Sequence, residues 1–173
     1  MANTMTLISS QNFSSAASSI IFSSIPNTYT DLCVKLSLRS SNASTLENFT
    51  LRFNGTSGGT AYGTQLLYGT GSSVVAANNL NAAQIDYGFQ DGSSTTANTF
   101  ANVEFYMPNY SNTSYNKSLS LDQVQENNAT AAYMGFIAGI YASTSAINQI
   151  GIYSTTGNFV QYSSAYLYGI KNS

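Results

Sequence analysis

Carboxylates are the main acid–base candidates in this chain, because its 173 residues include no His. We considered five of the seven Asp and Glu as possible catalytic pairs, but they are dispersed and form no compact motif: Asp86, Asp91, Glu104, Asp122 and Glu126. Acid–base catalysis needs two such groups held around one substrate. Without His there is no Ser-His-Asp triad and no Cys-His pair. We therefore expect no catalytic residue and no enzymatic activity, unless folding brings two carboxylates together.

Metal, cofactor and nucleic-acid sites are also not expected. Cys33 is the single cysteine, so the chain has no internal disulfide and no thiolate cluster. The segment 91–93 (DGS) is typical of a turn, and the Gly-rich segment 55–71 lacks the Lys-Ser/Thr ending of a phosphate-binding loop. Five basic residues and a net charge of −2 argue against nucleic acid as the partner.

Tyrosine is the remaining chemical feature, with 13 Tyr and no Trp. Tyr rings pack at the rim of β-sandwich cores, but they also populate protein interfaces and carbohydrate sites. Four of them stand among Gly, Ser and Asn residues and are the interface candidates: Tyr62, Tyr68, Tyr110 and Tyr115. The core, protein-interface and sugar-binding interpretations all stay open for these side chains.

The elements that must position these residues are predicted to be strands. Apolar and polar residues alternate along 31–39, where Leu32, Val34 and Leu36 share one face. This period of two is the pattern of a half-buried strand. Similar patterns predict about ten short strands, and in the last of them we expect Tyr166 and Tyr168 on the inward face. Asn54-Gly55 and Asp91-Gly92 predict tight turns.

The segment 133–141 differs because both of its faces are apolar, with Phe136 on one face and Ile137 on the other. We interpret it as a central strand buried on both sides. The expected core contains twelve side chains: Leu32, Val34, Leu36, Phe49, Leu51, Phe53, Ile85, Val103, Phe105, Leu119, Phe136 and Ile150.

Fold class and domain organisation follow from these patterns. Short strands separated by turn residues are typical of sandwiches and barrels. We predict an all-β, antiparallel, jelly-roll-like β-sandwich with little or no helix, formed by residues 1–173 as a single domain. The N-terminus lacks the features of a signal peptide, and no apolar stretch reaches the length of a membrane span. We therefore expect a protein that is either cytoplasmic or released without a secretion signal of its own.

Four stretches resemble a family of small β-rich virion proteins of tailed bacteriophages. They are 21–26 (IFSSIP) followed by 29–32 (YTDL), 51–55 (LRFNG) with Tyr62 downstream, 107–110 (MPNY), and 166–170 (YLYGI). The resemblance implies a virion role and transfers no site residue. Proteins of this kind are thought to decorate or cement capsids, or to form parts of tail fibres.

The resemblance leads to two expectations for function. The first is a capsid decoration or cement protein that binds the major capsid protein on the outer capsid surface, is assembled in the host cytoplasm, and forms a homotrimer at local threefold positions. The alternative is a tail-fibre or receptor-binding module that recognises host surface glycan through loop tyrosines. Neither function requires a cofactor, a metal, nucleic acid or a membrane.

Overall fold

The computed structural model describes residues 4–126 and 132–172 and contains twelve strands and no helix in these ranges. No described segment could cross a membrane as an apolar helix. The strands are β1 Met5–Asn12, β2 Ser19–Phe22, β3 Asp31–Leu38, β4 Leu46–Phe53, β5 Tyr62–Gly69, β6 Val74–Ala82, β7 Ile85–Asp91, β8 Ala101–Met107, β9 Lys117–Glu126, β10 Ala132–Tyr141, β11 Ile150–Ser154 and β12 Ser164–Ile170.

Two antiparallel sheets pack face to face. The larger sheet has eight strands in the order β1-β12-β3-β8-β9-β10-β5-β6, and the smaller has four in the order β2-β11-β4-β7. The chain crosses repeatedly between the sheets, and its two ends meet where β1 pairs with β12 and β2 pairs with β11. The predicted all-β, antiparallel β-sandwich is confirmed.

The core lies between the sheets and is built by alternate side chains of facing strands. Leu32, Val34 and Phe105 are fully buried there. Of the twelve predicted core residues, eleven are buried, and Phe136 is the exception, with 60% of its surface exposed. The alternation in the sequence therefore identified the inward face of most strands.

The prediction for 133–141 is wrong on one face. In β10 the inward side chains Ile137 and Tyr141 are buried, whereas Met134, Phe136 and Ile140 on the other face are exposed. β10 lies inside the larger sheet, between β9 and β5, so its edges are paired. The smaller sheet covers one face of the larger sheet, and no second layer covers the other face in the described chain.

The orientation predicted for the last strand is also wrong. Ala165 and Leu167 of β12 point into the core, and Tyr166 and Tyr168 lie on the outer face, partly exposed. The register explains this arrangement, because Tyr168 lies opposite Cys33, whose strand directs Leu32 and Val34 inward. The structure also contains the β5–β6 hairpin, which lies in a Gly- and Asn-rich stretch where the sequence analysis placed no strand.

Candidate binding surfaces

Two of the four candidate tyrosines, Tyr62 and Tyr110, are buried, as in the core interpretation that the sequence left open. Tyr62 begins β5, is 2% exposed, and stacks on Tyr141 with ring centroids 4.9 Å apart. Its hydroxyl accepts a 2.8 Å hydrogen bond from the backbone amide of Phe53, and burial raises its pKa to about 12. Tyr110 is fully buried and donates a hydrogen bond to the carbonyl of Pro26. Burial raises the pKa of Tyr110 as well.

The other two candidates differ in their exposure. Tyr68 is half-buried, and its ring packs against Phe89 and Tyr133 at centroid distances of 5.6 and 5.9 Å. Tyr115 is 46% exposed in the loop before β9, with the Lys117 ammonium 5.9 Å from its ring centroid. Of the four, Tyr115 is therefore the side chain that a partner reaches most readily.

Seven of the exposed apolar side chains in the described chain lie on the outer face of the larger sheet, at the end formed by β9, β10, β5 and β6. We call this surface the apolar outer face. Single exposed apolar side chains are ordinary, but a contiguous group on one sheet face is typical of a contact site. Its members are exposed by 45% to 74%: Leu67, Val74, Leu80, Val124, Met134, Phe136 and Ile140.

Strand register makes this face contiguous. Phe136 of β10 lies opposite Leu67 of β5, which in turn lies opposite Ala76 of β6. In the neighbouring row Met134 lies between Val124 and Gly69. Directly opposed residues on one sheet face have Cβ atoms about 5 Å apart, so these side chains touch across the strands.

Glycine shapes a depression in this face. Gly63 lies opposite both Ile140 and Leu80, and a Cβ at this position would come 3.0 Å from Cγ2 of Ile140. The absence of a side chain opens a cavity of about 220 Å³, which Leu80 and Ile140 border. A protruding apolar side chain of a partner could enter this cavity.

The carboxylates form no enclosed site. Folding brings Glu104 directly opposite Asp122 on the outer face, and Lys35 forms a 2.7 Å ion pair with Glu104. The side chains of this ion pair are 50% and 41% exposed, so water reaches the pair freely. Asp86 instead accepts hydrogen bonds from Asn79 and Gln84. No group of three acidic or Cys side chains suited to a metal ion occurs within residues 4–126 and 132–172.

Buried polar side chains stabilise loops by hydrogen bonds. The Arg39 guanidinium donates to Thr95 Oγ1 at 2.7 Å and to the carbonyls of Thr96 and Thr99 at 2.9 Å, and so holds the loop between β7 and β8. Asp91 pairs with Arg39 through an isolated parallel bridge, and its carboxylate is fully buried. Neither Arg39 nor Asp91 lines the cavities on the apolar outer face.

The sequence analysis named Phe136 as a core residue and did not name Leu67, Val74 or Leu80 at all. The signal was present in β6, where Val74, Ala76 and Leu80 alternate with Val75, Ala77 and Asn79. Asn and Ala weaken a strand pattern, because neither residue is enriched in strands. The exposed apolar side chains of β6 therefore lie in a segment whose sequence resembles a loop.

Comparisons with known proteins identify no family. No family model matches the chain, and no curated protein matches it. A solved structure of Scytalido-glutamic peptidase with a peptide-based transition state analog aligns at 10% identity over 82% of this chain and 65% of that chain, with a TM-score of 0.15. This chain thus spans just under two thirds of the peptidase chain, and a TM-score this low carries no inference about fold or activity.

Proposed function

We propose that this protein is a bacteriophage capsid decoration (cement) protein that binds the outer surface of the assembled shell through the apolar outer face. The observation that carries the proposal is the contiguous group of exposed side chains around Phe136 and Leu67. The four stretches that resemble small phage virion proteins support the identity of the partner, the major capsid protein. The protein would act on the virion surface after assembly in the host cytoplasm.

The composition supports a role in a particle that persists outside the cell. Only 7% of residues are charged, and most solvent-facing side chains are neutral Ser, Thr and Asn. Contacts made by apolar burial are insensitive to screening by salt, in contrast to surface ion pairs. A clamp built on Phe136 and its neighbours would hold at the variable ionic strength outside a host.

We propose a homotrimer as the bound form. Shells offer local threefold positions, and closed symmetry is the common solution for homo-oligomers. Three linked contacts raise the overall affinity without new chemistry, because binding at the second and third sites becomes intramolecular. The unpaired edge of β6, which has no charged residue and no Pro, adjoins the apolar outer face and can take part in contacts between copies.

The alternative is a tail-fibre or receptor-binding module. The observation in its favour is Tyr115, an exposed ring in a loop beside Lys117. Copy number separates the two functions. In purified virions a decoration protein approaches the abundance of the major capsid protein, whereas a fibre module is far less abundant.

The direct test is binding to shells assembled from the major capsid protein encoded with this chain. Phe136→Ser and Leu67→Ser should each weaken binding about tenfold or more, because they remove apolar area at the centre of the contact. Leu7→Ser, at the opposite edge of the sheet with a similarly exposed side chain, is the matched control and should bind like the wild type. Wild-type protein that fails to bind shells, or Phe136→Ser protein that binds normally, would contradict the proposal.

A further inference from the structure

A second group of side chains lies on the outer face of the larger sheet, away from the apolar outer face. Cys33 of β3 lies between Tyr106 of β8 and Tyr168 of β12, with each tyrosine directly opposite it. Tyr166 lies on the same face of β12, two residues before Tyr168. We call these three tyrosines the tyrosine platform. Tyr106 is 36% exposed, and Tyr166 and Tyr168 are partly exposed.

Hydrogen bonds tie two of these side chains to the neighbouring strands. The Tyr106 hydroxyl donates a 2.5 Å bond to Asp31 Oδ2 on the neighbouring strand, and this bond raises the pKa of Tyr106 to about 12. The Tyr166 hydroxyl donates a 2.8 Å bond to Oδ1 of Asn12 on β1. In each case the acceptor lies on the adjacent strand and two positions out of register, so each side chain leans toward that strand.

Burial beneath the platform agrees with this orientation. Cys33 has the same outward position as Tyr106 and Tyr168, yet it is only 3% exposed. Asp31, also on the outer side of β3, is 2% exposed, and besides Tyr106 it is bonded by the amide of Asn109 and by Nδ2 of Asn172. Tyr106 and Tyr168 are the neighbours in register with Cys33 on the two adjacent strands, so their side chains account for the burial of the thiol. Both tyrosines nevertheless keep part of their own surface open to solvent.

Polar groups adjoin the rings. The Lys35–Glu104 ion pair occupies the row next to Tyr106 and Tyr168, with Tyr166 directly opposite Lys35. Asp122 lies opposite Glu104 and extends this row. Ring faces with adjacent donors and acceptors match a ligand that combines apolar C–H faces with many hydroxyl groups.

From this geometry we propose that the tyrosine platform binds an extended oligosaccharide of β-linked pyranose sugars. Equatorial hydroxyls leave the two faces of such a sugar flat and apolar, so each face can stack on a tyrosine ring while its hydroxyls bond Lys35 and Glu104. Tyr106 and Tyr168 are two strands apart, roughly 10 Å. This separation suits alternate sugars of an extended chain lying on an open sheet.

The platform and the apolar outer face can be occupied at the same time. The tyrosine platform lies on β12, β3 and β8, whereas the apolar outer face lies on β9, β10, β5 and β6, so the two surfaces share no strand. Glycan binding therefore does not depend on the capsid role, and either proposal can fail without the other.

The test uses the full-length protein and three oligosaccharides: cellohexaose and the hexamer of β-1,4-linked N-acetylglucosamine as extended probes, and α-linked maltohexaose as a curved one. Binding is measured by isothermal titration calorimetry and by chemical-shift changes in NMR spectra. We expect at least one β-linked probe to bind with a Kd below ~1 mM and to shift signals of β3, β8 and β12. No binding of either β-linked probe, or equal binding of maltohexaose, would overturn the proposal.

Variants separate stacking from stability. Tyr168→Ala should weaken binding about tenfold, and Tyr168→Phe, which keeps the ring, should stay within about threefold of the wild type. Tyr162→Ala removes a ring that is 72% exposed but lies in the turn before β12, and it should bind normally. Tyr168→Ala is used in place of Tyr106→Ala, because removing the Tyr106 side chain would also remove its hydrogen bond to Asp31. Equal losses of oligosaccharide affinity in Tyr168→Ala and Tyr162→Ala would reject the proposal. It would also be rejected if Tyr168→Ala lost binding to capsid shells and the wild type bound no oligosaccharide, because the platform would then be a shell contact.

Discussion

The side chain of Gln123 joins the two sheets by two hydrogen bonds to one strand. Its Oε1 accepts a 2.7 Å bond from the amide of Phe89, and its Nε2 donates a 3.0 Å bond to the carbonyl of Tyr87. Gln123 belongs to β9 of the larger sheet, and β7 is an edge strand of the smaller one. Because β7 ends the smaller sheet, this buried amide side chain, and not a further strand, satisfies the amide of Phe89 and the carbonyl of Tyr87.

We therefore expect Gln123→Leu to be strongly destabilising. It leaves one amide and one carbonyl unpaired in the interior, and each costs about 1–3 kcal/mol. Chemical denaturation should show a loss of about 3 kcal/mol in the free energy of unfolding. Gln65→Leu, at an exposed position of β5, is the matched control and should change stability by about 0.5 kcal/mol or less. Equal effects of both substitutions would contradict this role.

Arg39 is expected to determine the order of the loop between β7 and β8. Its guanidinium bonds Thr95, Thr96, Thr99 and the carbonyl of Ser93, so Arg39→Lys keeps the charge but loses the branched set of donors. We expect Arg39→Lys to speed amide hydrogen exchange in residues 93–99 while the sheets keep their protection. Arg52→Lys, on a partly buried side chain that bonds Gln84, serves as the control. Unchanged exchange in this loop would show that other contacts hold it.

Asp91 should make stability fall as the pH rises. Burial raises the pKa of this fully buried carboxyl, while the side chain of Gln125, the charge of Arg39 and the side chain of Thr99 lower it in part. Neither carboxylate oxygen makes a hydrogen bond of normal geometry within the described chain. Because the folded protein favours the neutral acid, the contribution of Asp91 is fully present below the pKa of the unfolded chain and is lost as the pH rises through the folded value.

The matching experiment compares Asp91→Asn with the wild type by denaturation from pH 3 to pH 7 (about one unit below to three above the ordinary carboxyl pKa). The amide cannot ionise, so the variant should gain stability relative to the wild type as the pH increases. A variant whose relative stability falls over this range would show that the ionised carboxylate is the favoured form.

Ionisation of Tyr62 should lower the free energy of unfolding at alkaline pH. Burial raises its pKa from an ordinary value of 10.0 to about 12, so the unfolded chain ionises first. The contribution of the neutral phenol is complete below pH 10.0 and is lost as the pH rises to about 12. Tyr62→Phe, followed by urea denaturation across this range, should show a weaker pH dependence than the wild type. Tyr162→Phe, on an exposed ring, should keep the wild-type dependence.

Local signals in the sequence were sufficient for much of the fold. The alternation around Leu32, Val34 and Phe105 identified buried faces because a strand places every second side chain on the same side. The Asn54-Gly55 pair predicted a tight turn, and both residues have positive φ angles, 54° and 69°, just after β4. These features depend on neighbouring residues in the chain, so the sequence contains them directly.

The candidate binding surfaces were less accessible to this reasoning. Alternation shows that Met134, Phe136 and Ile140 share a face, but it cannot show whether another layer covers that face. Tyr62 and Tyr110 stand among loop-forming residues, yet both are buried because segments distant in the sequence pack around them, as the bond from Tyr110 to Pro26 shows. Burial of these rings depends on long-range packing.

By itself, the sequence determined most of the strand pattern outside β5 and β6, the neutral composition and the lack of imidazole chemistry. The tertiary structure decided which apolar residues face solvent, because the smaller sheet covers only one side of an eight-stranded sheet. It also placed Tyr106 and Tyr168 on either side of Cys33, because β8 and β12 pair with opposite edges of β3. Strand order arises from contacts between distant segments, and for this reason surfaces assembled across strands exist only in the folded chain.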